Sequence, residues 1–265
     1  MNRRRNLHSL LFGATAIVFS GAWVAPARHQ RTAVPATALK TATTSAVKTD
    51  PKSPMSAATK AALEAFKSVV RPLSHPMALE DAFRSYFAFK SAHPDQVTKP
   101  YLYFVDYGLP STTARGYVFD MNALKIVEGP FTVAHGRGSS TSQYGIPTRF
   151  ANASGTATTS LGLYVAKALY NFTGHTGGHT YGAVGLRLEG ESRGFNDKAM
   201  ARGVVAHGAP YVTPTRAGRS QGCPAMELAR AQRLLPKLAD GGVVFLFAPD
   251  ANWMNNDQWL NASAN

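Results

Sequence analysis

Cys223 is the only cysteine in this chain of 265 residues, and His207 stands sixteen positions before it. A sulfur nucleophile beside an imidazole that can take and return its proton is the minimum equipment for acyl transfer. The cysteine lies in Ser220-Gln221-Gly222-Cys223-Pro224. The glycine before it lets a substrate approach the backbone, and the proline after it suits a first helical turn. Residues 226–235 read as helical, so the thiol is expected at a helix entrance. There, unpaired N–H groups would draw its pKa from about 8.5 into the range of about 3.5 to 7.5. His207 ends the apolar run Gly203-Val204-Val205-Ala206, whose valines predict a buried strand with the imidazole at its tip. The same residue types also occur as an inert core cysteine and a satisfied structural histidine.

Two other classes of function stand beside the thiol reading. Gly174-His175-Thr176-Gly177-Gly178-His179 gives an H-x₃-H spacing that, with His207 and Cys223, could complete a tetrahedral zinc set. In a glycine-rich loop, however, those histidines have no element to fix them. The chain carries a formal charge of +13, so a non-catalytic protein that binds anionic polymers through its basic surface is the other alternative. No predicted helix interleaves basic and aromatic residues, and nucleic acid is not expected as a partner.

The elements that would position the pair follow from patterning. Met1-Asn2-Arg3-Arg4-Arg5-Asn6, the apolar stretch Leu10 to Val24 and Ala25-Pro26-Ala27 predict a signal peptide over 1–27, with an uncleaved anchor as the alternative. The protein is therefore expected to be exported to the periplasm or cell envelope, with membrane contact only through that segment. Outside the cell, cysteines are usually paired; a lone one is a leftover or a thiol kept for reaction. Residues 28–55, rich in Thr, Ala, Pro and Lys, predict a solvated linker.

A single domain is expected over 56–250. It begins with a helical lead-in over 56–95, with helices at Ser56–Val70 and from near Pro76 to just before His93. From Tyr101 the apolar period changes to β: runs at 101–106, 116–120, 124–127, 131–134, 161–168, 184–188, 204–206 and 243–247. The expected fold is mainly β (α+β), a curved or barrel-like sheet with a helix after the cysteine. Residues 251–265 read as a C-terminal tail. Val133-Ala134-His135-Gly136 echoes Val205-Ala206-His207-Gly208, as two strand ends facing one cleft would, or by chance.

His207-Gly208 followed by Ser220-Gln221-Gly222-Cys223 resembles the signature of the L,D-transpeptidases with a YkuD-like catalytic domain. It is most similar to the murein L,D-transpeptidase catalytic domain subgroup, whose cysteine loop continues Cys-Pro-Ala. Supporting agreement lies in Tyr101–Asp106, Val133–Gly136, Ser160–Tyr164, Gly185–Gly190 and Gly194–Asp197, so the resemblance spans 101–250. It implies an L,D-transpeptidase-like β core, peptidoglycan stem peptides as substrate, Cys223 as nucleophile and His207 as base, with no cofactor. It also implies an acyl-enzyme resolved by an amine or by water, the latter an L,D-carboxypeptidase outcome. Backbone donors at Gly222 and Cys223, with Gln221, would form an oxyanion hole. Gly208 replaces a common serine, so the acceptor that orients the base must be a backbone carbonyl. Gln221 replaces a common histidine, and no arginine follows Cys223, which leaves Arg219 with Ser220 as weaker substrate contacts and His135 as a candidate cleft wall. Anionic cell-wall polymers are a further partner that the basic balance allows.

Overall fold

A computed structural model describes residues 55–262; the expected signal segment and all but the end of the expected linker lie outside them. The helices α1 (Ala57–Phe66) and α2 (Ala78–Ala92) come first. Ser56 caps α1 by accepting the Thr59 N–H at 3.2 Å. That helix stops at Phe66, short of the expected Val70, and Val69 is exposed. Phe66 of α1, Phe83 of α2 and Phe119 of the sheet meet with ring centroids 4.6 to 5.5 Å apart, so the aromatic stripes are core contacts.

Twelve strands follow. They are β1 (Tyr101–Asp106), β2 (Gly116–Asp120), β3 (Lys125–Phe131), β4 (His135–Gly136), β5 (Gly162–Thr176) and β6 (His179–Gly190). After them come β7 (Val205–Gly208), β8 (Val212–Thr213), β9 (Arg216–Ala217), β10 (Arg219–Ser220), β11 (Ala225–Met226) and β12 (Val243–Phe247). Helix α3 (Leu228–Leu238) lies between β11 and β12, and α4 (Ala251–Asn256) follows β12. Eight strands form one mixed sheet in the order β11-β7-β6-β5-β12-β1-β2-β3.

Beyond β3 the chain comes round to the other edge: Ala134 bridges Ala225 of β11, its N–H donating to the Ala225 carbonyl at 2.8 Å. The two ends of the sheet are thereby joined, as a barrel-like core requires. Arg230 and Arg233 of α3 strengthen the same closure by pairing with Glu128 of β3. β1 and β12, buried along nearly their whole length, form the middle. The fold is mainly β with few helices, as expected.

The hairpin of β5 and β6 is longer than the apolar runs suggested, because its outer half is polar and turns through Gly177 and Gly178, both at positive φ. Residues 251–260 are packed rather than loose. Trp253 is buried and donates to Asp257 at 2.7 Å, Leu260 is fully buried, and Trp259 meets Phe89 edge-on. The expected tail therefore belongs to the domain up to Leu260, since these apolar groups find a core to cover.

Candidate active site

β7 carries His207 and the residues that flank it. Gly185 of β6 and Ala225 of β11 are the register partners of His207, and Tyr170 of β5 pairs with Gly185. These four residues make one row across the sheet. The His207 N–H donates to the carbonyl of Pro224 at 3.2 Å, so its backbone is one residue removed from Cys223. The Val205 backbone is near enough to lower the pKa of the Cys223 thiol. Val205 and His207 share a face of the strand, about 6.6 Å apart at the usual rise. Among the described residues no hydrogen bond joins the His207 ring to the sulfur.

The ring is held from two sides. Its Nδ1 lies 2.9 Å from the carbonyl of Gly208, and Phe172 packs edge-on against it with centroids 5.2 Å apart. A carbonyl only accepts, so Nδ1 carries the hydrogen and Nε2 is the basic nitrogen. The orienting acceptor is therefore a backbone carbonyl. A side chain at position 208 would meet Ala231 Cβ at 3.0 Å and Leu228 Cα at 3.1 Å, which is why glycine stands there against α3. Burial lowers the His207 pKa and the Gly208 hydrogen bond opposes that shift.

The cysteine loop is tied by its own serine. Ser220 Oγ accepts from the Gly222 N–H at 3.1 Å and donates to the Cys223 carbonyl at 2.6 Å. Gly222, at φ +126°, lies so close to the neighbouring chain that a Cβ would stand 2.7 Å from the Thr158 carbonyl. Two expectations are corrected here. The Gly222 N–H is occupied by Ser220 and is not an open oxyanion donor, whereas no acceptor is found for the Cys223 N–H among the described residues. Gln221 is exposed and its Oε1 accepts from Arg137 Nε at 2.9 Å.

The expected thiolate is corrected as well. β11 intervenes between Cys223 and α3, which starts at Leu228, so the sulfur does not stand at a helix entrance. Burial pushes the thiol up, against smaller lowering effects of the Val205 hydrogen bond and the Arg202 charge. The free cysteine is half-buried. The phenols of Tyr107, Tyr164, Tyr170, Tyr181 and Tyr211 all lie within its electrostatic reach. Cys223 opens on a cavity of about 510 Å³, lined also by Arg137, Arg202, Gln221 and the 154–157 loop.

The other expected contacts lie away from this opening. His135 is fully buried on β4, beside Arg219 of β10 in register, and accepts from Arg115 Nη2 at 3.0 Å through Nδ1. It is an internal support rather than a cleft wall. Burial, then the Arg115 and Arg219 charges, lower its pKa to about 3. Arg219 donates to the carbonyls of Ser140 at 3.2 Å and Thr141 at 3.5 Å. The echoing segments do flank one element: Ala134 bridges Ala225, and Ala225 pairs with His207. On β6, Arg187 lies 4.8 Å over the Tyr170 ring, and Glu189 pairs with Lys167.

The H-x₃-H spacing does not build a metal site. His175 pairs with Thr180 and His179 with Thr176, so strand alternation turns the two rings to opposite faces of the hairpin. His179 also stands six residues along β6 from Gly185, the partner of His207, which is about 20 Å. Among the described residues no group of three metal-binding side chains is present.

Residues 73–247 match the L,D-transpeptidase catalytic domain family. The chain belongs to that family. Among solved structures it is similar to an L,D-transpeptidase from Mycobacterium smegmatis, at 15% identity and a TM-score of 0.35, over 56% of this chain and 59% of that one. It is also similar to an L,D-transpeptidase from Stackebrandtia nassauensis, at 15% identity and TM-score 0.35, over 64% and 66%. A third, from Xylanimonas cellulosilytica, shows 13% identity and TM-score 0.33 over 61% and 78%. The chain thus spans about three fifths of the length of the mycobacterial protein. No curated protein matches it. Within the family's domain, the feature that sequence reasoning missed is the Arg137–Gln221 contact. The arginine followed directly on the Val133–Gly136 echo, which was the available signal.

Proposed function

We propose that this protein is an exported enzyme of the cell envelope that cleaves an L,D peptide bond of peptidoglycan stem peptides through a cysteine thioester. The observation that carries the reading is the β7–β11 ladder, in which the His207 N–H donates to the carbonyl of Pro224, the residue next to Cys223, so that the imidazole and the sulfur are borne by adjacent segments. Membership of the L,D-transpeptidase catalytic domain family supplies the substrate class.

The chemistry follows from two neutral groups. A thiol raised by burial and an imidazole lowered by burial do not exchange a proton at rest. His207 Nε2 therefore takes the thiol proton as the sulfur attacks the carbonyl carbon at the L-centre next to D-alanine. The carbonyl oxygen becomes an oxyanion, to which the Cys223 N–H can donate. When the tetrahedral adduct collapses, the C–N bond breaks, the imidazolium gives its proton to the departing amine, and a thioester remains. An amine of a second stem or a water attacks the thioester next, giving up its proton to His207 and releasing the thiol.

The test incubates stem tetrapeptides, with and without an acceptor amine, with the protein and with Cys223→Ala. Mass spectrometry is expected to find D-alanine release or crosslinked product with the first alone, a loss on the order of 10⁴-fold or more in the variant. Equal product from both proteins, or from neither, would sink the reading.

A further inference from the structure

Resting on that reading, we propose that Arg137, braced by Gln221, is the residue that holds a carboxylate of the stem peptide beside the scissile bond. The cavity of about 510 Å³ that exposes Cys223 is lined by two guanidinium groups, Arg137 and Arg202, and by no acidic side chain. Neither arginine has a carboxylate partner among the described residues. The two differ in what they have left to give. Arg202 spends its donors on the Ala151 carbonyl at 3.0 Å, the Thr158 carbonyl at 2.9 Å and the Ser160 hydroxyl, clamping the 151–160 loop. The Arg137 side chain donates only through Nε, to Gln221 Oε1 at 2.9 Å, and both of its terminal nitrogens are unengaged among the described residues. A planar fork with two free ends is the shape that takes a carboxylate in two parallel hydrogen bonds.

The backbone fixes the fork relative to the sulfur. The Arg137 N–H donates to the Ser220 carbonyl at 2.8 Å, and the next residue, Gly138, donates to the Ala157 carbonyl at 3.0 Å. Gly136 lies so close to the cysteine loop that a Cβ there would stand 2.8 Å from Gly222 Cα and 2.3 Å from the Ala157 carbonyl. Residue 137 is thereby pinned to the loop that carries Cys223, and Gln221, two residues before the cysteine, aims its side chain. Arg219, the cation nearest in sequence, is turned to the Ser140 and Thr141 carbonyls instead.

The experiment measures binding of a stem tetrapeptide by calorimetry, using the full chain as Cys223→Ala so that no turnover intervenes. Arg137→Ala in that background is expected to weaken binding roughly 10- to 100-fold. Arg137→Lys, which keeps the charge but not the fork, should fall between. Peptides amidated at the terminal carboxylate or at each internal one distinguish the source: the carboxylate recognised is the one whose amidation abolishes the difference between the Arg137 variants. Tight binding by Arg137→Ala, or a loss that persists undiminished against every amidated peptide, overturns the proposal and leaves the enzymatic reading intact. A tetrapeptide that the parent does not bind at all overturns both.

Discussion

The His207 Nδ1 and the Gly208 carbonyl, 2.9 Å apart, form a hydrogen bond between adjacent residues of one strand, and this bond decides which ring nitrogen is basic. The Gly208 carbonyl sits where it does because α3 closes over a residue with no side chain.

Replacing Gly208 by serine tests that packing. Its Cβ would press on Ala231 and Leu228, at 3.0 and 3.1 Å, so the strand or the helix must give. The expected loss is about 1 to 3 kcal/mol of stability, read in urea unfolding, with a fall in turnover as the carbonyl moves.

The protonation states give a pH profile. The Cys223 thiol is held above its ordinary value by burial, and His207 below its ordinary 6.5. Alkylation of Cys223 by iodoacetamide, which follows the thiolate fraction, is expected to keep rising beyond pH 9. Because the base must be neutral, kcat/KM should decline on the acid side only below pH 6.5. A plateau in alkylation already at neutral pH would show a preformed thiolate.

Ser220 positions the nucleophile through two hydrogen bonds, from the Gly222 N–H and to the Cys223 carbonyl. Ser220→Ala is expected to lower kcat roughly 10- to 100-fold through a displaced sulfur. The stability cost should be small, about 1 to 2 kcal/mol. Steady-state kinetics beside a melting curve separates the two effects.

His135 links stability to acid. Its folded pKa of about 3 lies below the ordinary 6.5, so the folded state binds fewer protons than the unfolded one between those values. The stability it contributes is full above pH 6.5 and is lost as pH falls toward about 3. His135→Asn keeps an acceptor for Arg115 and does not titrate. The drop in urea midpoint between pH 7 and about pH 4 is expected to shrink in that variant.

Treatment with a chelator is expected to leave Cys223-dependent turnover unchanged, because His175 and His179 face opposite ways at the hairpin tip. Loss of activity that zinc restores would contradict the thiol mechanism.

Much of the β framework was readable because alternating or continuous apolar runs bury themselves wherever the sheet runs. Tyr101–Asp106 and Val243–Phe247 announced strands, although nothing local said they would lie side by side and parallel. The outer half of the β5–β6 hairpin was not readable as strand, since Asn171, Thr173 and the glycines carry no apolar signal and pair through the backbone alone.

By itself, the order of residues determined that one sulfur and an imidazole sixteen positions away could act together, and that with Gly208 after the histidine the orienting acceptor must be a backbone carbonyl. Tertiary structure decided the electrostatics and the wiring. Two residues of strand separate Cys223 from α3, so burial rather than a helix end governs the thiol. Serine takes the Gly222 N–H, and Arg137, 86 positions before the cysteine, reaches its cavity while Arg219 turns away. The reason is physical: pKa values and free hydrogen-bond donors depend on what is packed within a few ångströms. Those neighbours arrive from segments far apart in the chain.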